Sequence, residues 1–329
     1  MKKVAVTDLV YFSDCRRQWW LGRKYSPKRP QYHFWVGELV HKGMETYHKS
    51  GFKVDPALAS MQRFIKKSLE DLSRKFPETW QQEYPEMQDL GDLGLGIMQN
   101  YSVYDEGDKL DGKIISVEER VQVPLPEGIT LSGKIDLLIE RKDGLWVVDH
   151  KTAGSAYSLK GLDVDEQLTG YAYIVYKTRG VIPTGLMYNT LIKELPSEPK
   201  VLKSGKLSMD MSQKTVYDLY LSKIQEMDFD PEEYEGILSV LKAVGWSKFF
   251  TRDGSTRNLK ELENFEVRAV RKAQDILAIL EDPEKNAYPS PSTFKCQSCV
   301  FLGLCKAMED GGDAQAIIDA HFMPNTYYS

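Results

Sequence analysis

The sequence predicts an α/β fold in which a central mixed β-sheet is flanked by helices. Three observations carry that expectation. Apolar residues recur at helical spacing up to about residue 105, the period shortens to that of strands from residue 113, and one helical stretch then separates those strands from another, Gly185 to Ile192. A chain of 329 residues with 42% hydrophobic and 28% charged residues can bury such a core, as two domains or as one elaborated domain.

Taken in order, the first element is a short helix within residues 4 to 24, bearing Cys15 and capped by Thr7 or Asp8. A second helix covers residues 34 to 50 and stops at Gly51, and further helices cover 56 to 76 and 88 to 105. Strands follow from Ile114 to Val123, Ile129 to Glu140 and Leu145 to His150, with Lys142, Asp143 and Gly144 supplying hairpin turn chemistry. A helix from about Asp165 to Thr178 has Asp163 and Glu166 as a candidate capping box and Gly180 as its stop. The stretch from 193 begins polar and rich in Pro and Lys, passes a short hairpin-like Val201 to Met209, and continues in helices near 212–227, 231–244 and 259–281. A short amphipathic helix at 313–321 precedes a polar, loose end. The expected organisation is an N-terminal helical region (1–110), a sheet core (111–192), a mostly helical insertion (193–285) and a C-terminal cysteine-bearing segment with the tail (286–329).

No apolar run approaches the roughly 20 residues that span a bilayer. The opening Met1-Lys2-Lys3-Val4-Ala5-Val6-Thr7-Asp8 meets a carboxylate before a signal-peptide core could form, so a cytoplasmic protein with no membrane contact is expected. A net charge of −5 excludes a polycation. Locally, however, Lys2, Lys3, Arg16, Arg17, Arg23, Lys24, Lys28 and Arg29 face only Asp8 and Asp14 over the first thirty residues, with Tyr11, Trp19, Trp20 and Tyr25 interleaved. Two readings stand: a groove that tracks a nucleic-acid backbone with stacking faces, or an amphipathic segment whose aromatics pack into the core, which is the commoner case.

Cys296, Cys299 and Cys305 are spaced Cys-x2-Cys-x5-Cys, and Cys15 is the fourth and last cysteine. Disulfides are disfavoured in a cytoplasmic chain with a core of this size. Four thiolates suit a tetrahedral zinc ion or an iron–sulfur cluster, and the one-plus-three spacing favours iron–sulfur over the paired knuckles of a zinc ribbon. Either would tie residue 15 to residue 296 and clamp everything between.

The segment Ser132-Gly133-Lys134-Ile135-Asp136 is followed, across the turn, by Val147-Val148-Asp149-His150-Lys151-Thr152. Because side chains alternate along a strand, Asp149 and Lys151 share one face, His150 points to the other, and Asp136 on the partner strand can join the first face. Two carboxylates and an ammonium at the end of an apolar hairpin need a compensating charge, and a divalent cation supplies it. The plain alternative is a surface ion pair between Asp149 and Lys151.

These residues resemble the PD-(D/E)XK nuclease superfamily and, within it, the RecB-type and CRISPR-associated exonucleases that carry a 4Fe-4S cluster. Gly133 to Asp136 is similar to the G-x-x-D metal-ligand strand, and Asp149 to Thr152 to the (D/E)-x-K-T strand. Gln167 and Tyr171 are similar to the Q-x-x-x-Y helix, Gly37-x-x-x-His41 to the upstream histidine motif, and the four cysteines to the split cluster signature. The resemblance implies a restriction-endonuclease-like core and a magnesium- or manganese-dependent deoxyribonuclease, an exonuclease acting on DNA that is single-stranded or has free ends. It implies Asp136, Asp149 and His41 as metal ligands with the His150 backbone carbonyl, Lys151 assisting the attacking water, and Gln167 with Tyr171 settling the phosphate. Cys15, Cys296, Cys299 and Cys305 would hold the cluster as a clamp joining the termini. Glu118 has two readings, an outer-shell member of the site or, the commoner case, a solvated strand glutamate. With no Gly-x-x-x-x-Gly-Lys-Ser loop in the chain, a stand-alone nuclease or a nuclease subunit is implied, with a helicase or recombination protein as the partner. The rival from another class is a non-catalytic DNA-binding adaptor that keeps a zinc or iron–sulfur clamp.

Overall fold

A computed structural model describes residues 2–28, 32–107, 110, 112–155 and 159–325. Arg29 of the basic segment and the polar end at 326–329 lie outside the described residues. The N-terminal part comprises β1 (Lys2–Ala5), α1 (Val6–Asp14), α2 (Arg16–Lys24), β2 (Tyr25–Pro27), α3 (Tyr32–Lys49), α4 (Val54–Lys75) and α5 (Trp80–Gly107). Then come β3 (Lys113–Leu125), β4 (Ile129–Arg141), β5 (Gly144–Ala153), α6 (Leu159–Leu162), α7 (Glu166–Arg179) and β6 (Gly185–Ile192). The remainder holds α8 (Tyr217–Glu226), α9 (Glu235–Val244), β7 (Phe250–Ser255), α10 (Leu259–Glu281), α11 (Pro283–Asn286), α12 (Thr293–Gln297), α13 (Leu302–Asp310), α14 (Ala314–His321) and β8 (Phe322–Pro324). Among the described residues no helix is long and apolar enough to cross a membrane.

Strand β4 is the hub of a six-stranded mixed sheet. Its first residues, Ile129–Ser132, pair in parallel with β1, its length pairs antiparallel with β3, and its end from Leu137 pairs antiparallel with β5. Beyond Val148 strand β5 leaves β4 and runs on to Ala153 beside β6 in parallel, and β6 pairs antiparallel with β7. The sheet therefore forks, and Gly133–Asp136 lie where β1 has ended and β5 has not yet joined. Leu137, Leu138 and Ile139 are all buried, as a strand covered on both faces requires.

Helix α7 covers one face, with Leu168 to Val175 buried without a break between the sheet and α10. It lies this close because position 133 has no side chain: a β-carbon there would come within 2.6 Å of Ile174 Cδ1. Asp165 caps α7 by accepting from Leu168 N at 2.8 Å, and Gly180 (φ 72°) ends it. The capping box expected from Asp163 is replaced: Asp163 accepts from Ser255 Oγ instead. The other face is covered by α3, α4 and α5, packed through Leu39, Met44, Met61 and Ile97 onto Leu191 and Phe250 of the sheet.

Three expectations need correction. Residues 2–5 form an edge strand, because their backbone pairs with β4 before the first helix begins. The helix expected around Cys15 breaks there, since Cys15 is extended (φ −162°, ψ 119°) and ends α1 while capping α2. The segment 193–285 is not a helical appendage alone: Phe250–Ser255 adds a strand to the central sheet, while Tyr220, Ile224, Tyr234 and Ile237 form a small core of their own.

Candidate active site

The fork in the sheet assembles the acidic residues. Leu137 pairs with Val148, so one further step of the same register sets Asp136 opposite Asp149 on a shared face. The backbone of β5 holds the first carboxylate, with His150 N donating to Asp136 Oδ2 at 3.0 Å. Lys151 Nζ lies 2.7 Å from Asp149 Oδ2 and donates to Gln167 Oε1 at 2.9 Å. The Gln167 amide donates in turn to Asp149 Oδ1 at 3.2 Å and to the Tyr171 hydroxyl at 2.9 Å. Helix spacing of four residues puts Gln167 and Tyr171 on one face, so one docked helix sets both groups.

Helix α3 delivers an imidazole from the other side. It crosses β5 closely at Gly37, where a β-carbon would stand 3.2 Å from Thr152 Oγ1, and one turn later His41 Nδ1 stands 3.4 Å from Asp136 Oδ2. Glu118 completes the group. Counting back through the β3–β4 register puts it opposite Asp136, where it adopts a left-handed backbone (φ 56°). Ligand atoms of His41, Glu118 and Asp136 all lie within 4.8 Å of one another, the one such group of three among the described residues.

Charge compensation here is incomplete. Asp149 faces Lys151 and Glu118 faces Lys134, but Asp136 has only a backbone N–H and His41. Burial, and then the neighbouring Asp149 and Glu118 carboxylates, push the Asp136 carboxyl well above the usual carboxylate range. Burial lowers His41 and leaves it a neutral donor of a nitrogen lone pair. Two or three carboxylate oxygens with one imidazole are the donor set that hard divalent ions such as magnesium and manganese take, so the residues present fit such an ion.

A family model of the PD-(D/E)XK nuclease superfamily matches residues 3–306, nearly the whole chain. The chain belongs to the PD-(D/E)XK nuclease superfamily. Membership implies a nuclease with DNA as its substrate, in a superfamily whose members typically use magnesium or manganese. Among solved structures, one titled "Crystal structure of SSO0001" aligns over 93% of this chain and 87% of that one, at 12% identity and a TM-score of 0.33, too slight to carry an argument. No curated protein matches.

For a nuclease of this superfamily the structure promotes one residue that the sequence left at the margin and adds others that it did not mark. Glu118 is not a solvated margin residue; it sits against Asp136, and the turn at Pro126–Gly128, which sets the register, was the signal that could have found it. A buried polar chain backs the site. His150 points away from the acids, its Nδ1 2.9 Å from Asn189 Nδ2, and its ring stacks on His48 at 5.1 Å and 7°. Asn189 and Arg252 both donate to the Tyr101 hydroxyl at 3.0 Å, and Arg252 pairs with Asp105, which also accepts from Tyr47. These residues come from α3, α5, β6 and β7, and no local motif marks them.

The described arginines of the basic N-terminal segment are spent on ion pairs within the protein, while Lys3 and Tyr11 line the cavity that holds Asp136 and Lys151. Arg16 pairs with Asp275, Arg17 with Glu309 and Arg23 with Asp8, and Trp19 is buried with its indole N–H on Asp8. Arg16 and Arg17 fasten α2 to α10 and α13, and Arg23 holds it to α1. Cys15, Cys296, Cys299 and Cys305 line one cavity. Cys15 Sγ accepts from Gln18 N and Ser290 N, Cys296 Sγ from Ser292 N at 3.3 Å, and Arg17 Nη1 lies 3.8 Å from Cys305 Sγ. The Cys299 thiol is raised by burial and by the neighbouring thiols, while the Phe301 amide opposes that rise.

Proposed function

We propose that this protein hydrolyses DNA phosphodiester bonds in a magnesium- or manganese-dependent reaction, as an exonuclease acting on ends or single strands. One observation carries the reading: His41, Glu118 and Asp136 crowd together beside the linked Asp149, Lys151, Gln167 and Tyr171. Asp136, Asp149, Glu118 and His41, with the His150 backbone carbonyl, would hold the ion. When bound, it would offset charge developing on the phosphate and lower the pKa of a water molecule. Lys151, set by Asp149 and Gln167, orients that water and stabilises the hydroxide it becomes. The Tyr171 hydroxyl, fixed by the Gln167 amide, is aimed into the same cavity and positions the phosphate.

The four cysteines, on the same reading, hold a structural 4Fe-4S cluster that clamps the terminal helices in the manner of the RecB-type and CRISPR-associated exonucleases. Support comes from four cysteines, Cys15 far in sequence from the other three, that line one cavity, where Ser290 N, Ser292 N and Arg17 Nη1 turn toward sulfur. Anaerobically purified protein incubated with end-labelled single- and double-stranded DNA, with and without magnesium or manganese, tests the activity. Products shortening from one end, only with the ion present, are expected; binding without products would leave the adaptor reading. Brown protein with stoichiometric iron and sulfide is expected, and colourless protein with stoichiometric zinc would refute the cluster.

A further inference from the structure

Two cavities meet at the carboxylate centre and share His41 and Lys134 as wall residues. The one of about 500 Å³ is walled by Lys151, Gln167 and Tyr171 and also by Lys3, Tyr11 and Arg120; the one of about 690 Å³ by Phe34, Phe64 and Lys193. Each wall carries one large outward aromatic ring, Tyr11 at 60% exposure and Phe34 at 58%.

The core gives no reason for Tyr11. Helix α1 buries Val6, Leu9 and Phe12, while Tyr11 lies on the face of Thr7, which also lines the cavity. Of the five aromatics in the basic segment, Phe12 and Trp19 are buried and Trp20 and Tyr25 pack against the C-terminal segment. Tyr11 alone is turned to solvent. Beside it, exposed Lys3 and Arg120 have no carboxylate partner among the described residues, in contrast to the ion-paired Arg16, Arg17 and Arg23.

We propose that Tyr11 and Phe34 are stacking platforms for unstacked bases on opposite sides of the scissile phosphate, with Lys3 and Arg120 holding the backbone on the Tyr11 side. The inference rests on the nuclease reading above and names the groups that make the site select single strands. A base in a duplex already spends both faces on its neighbours, whereas an unpaired base can lay one on an aromatic ring, whatever its identity. Cationic side chains at the same wall neutralise phosphates where the carboxylates would otherwise repel them.

The test compares wild type with Tyr11→Ala, Phe34→Ala, Tyr11→Phe and Phe34→Trp on a labelled single strand and on the same strand in a duplex. Each alanine variant is expected to lose about tenfold in kcat/KM on the single strand, chiefly through KM, and to narrow the single-to-double-strand ratio. The aromatic replacements should restore both. In a Lys151→Ala background, 2-aminopurine placed to either side of the cut should lose its quenching on one side with Tyr11→Ala and on the other with Phe34→Ala. Wild-type cleavage that the alanine variants leave unchanged, or quenching relieved on the same side by both, would overturn the stacking proposal alone. Wild-type protein that neither binds nor cuts DNA would overturn it together with the nuclease reading.

Discussion

At the fork of the sheet, ligand atoms of His41, Glu118 and Asp136 crowd within 4.8 Å, and the Asp136 carboxyl is driven toward its protonated form. At the chain's two ends, four thiols line a cavity where amide and guanidinium N–H groups turn toward sulfur. The first centre crowds carboxylates whose charges repel one another, whereas the second sets N–H donors against its sulfur atoms. The difference teaches what removal of one ligand should do. Deleting an acid at the fork relieves strain while ending chemistry, whereas deleting a thiol loosens the fold.

The sharpest break in that comparison is activity. Asp149→Ala and Lys151→Ala should each lower cleavage on the order of a thousandfold in end-labelled DNA assays, with circular dichroism and iron content unchanged. Full activity in either folded variant would remove both residues from the mechanism. Next comes Cys296→Ser, which, if the proposed cluster is present, is expected to lose iron and several kcal/mol of stability (on the order of 5) in denaturant titration. Retained stability there would show that the thiols clamp nothing.

A third effect separates the buried histidine stack from both centres. His48 is pushed down to about 4 by burial, so its folded pKa lies below the ordinary 6.5. The folded state then binds fewer protons than the unfolded one, and stability present above pH 6.5 is lost as pH falls toward 4. A fully buried group with that shift contributes about 3 kcal/mol, and His48→Phe should flatten the acid limb of Tm against pH. The smallest effect has the opposite sign. Asp136 has a raised folded pKa, so in metal-free protein stability falls as pH rises from the ordinary carboxylate range through the raised value. Asp136→Asn should therefore raise the metal-free Tm by on the order of 1 kcal/mol equivalent and abolish the stabilisation that manganese gives wild type. A destabilised Asp136→Asn would mean that the carboxylates are not in conflict.

Much of this was legible before any coordinates. The Asp136 and Asp149 strands could be placed because the Lys142–Gly144 turn fixes their pairing, and strand alternation then sorts Asp149 and Lys151 from His150. Gln167 and Tyr171 were marked by the resemblance to the superfamily's helix motif, and a spacing of four residues then puts them on one face. Glu118 was harder, since its left-handed backbone interrupts the alternation by which a strand residue is assigned a face. Strand β1 is four residues long and joins its partner across more than a hundred positions, so no local pattern announces it. Strand β7, Phe-Thr-Arg-Asp-Gly-Ser, has too few apolar residues to read as sheet; the burial of Arg252 inside it draws on Asp105, Tyr101 and Tyr104 of α5 and on Asn189 of β6. Long-range electrostatics of that kind has no period.

The short ribbon of β2 with β8, reinforced by Phe301 stacked on Phe322 at 5.1 Å and by Asn325 N donating to Lys24 O, gives the molecule a second fastening that owes nothing to sulfur. Were the proposed cluster stripped from the cysteine cavity by oxidants, this backbone zipper would stay closed. The thiols would then stay gathered, and reloading would proceed as repair of a standing frame without refolding.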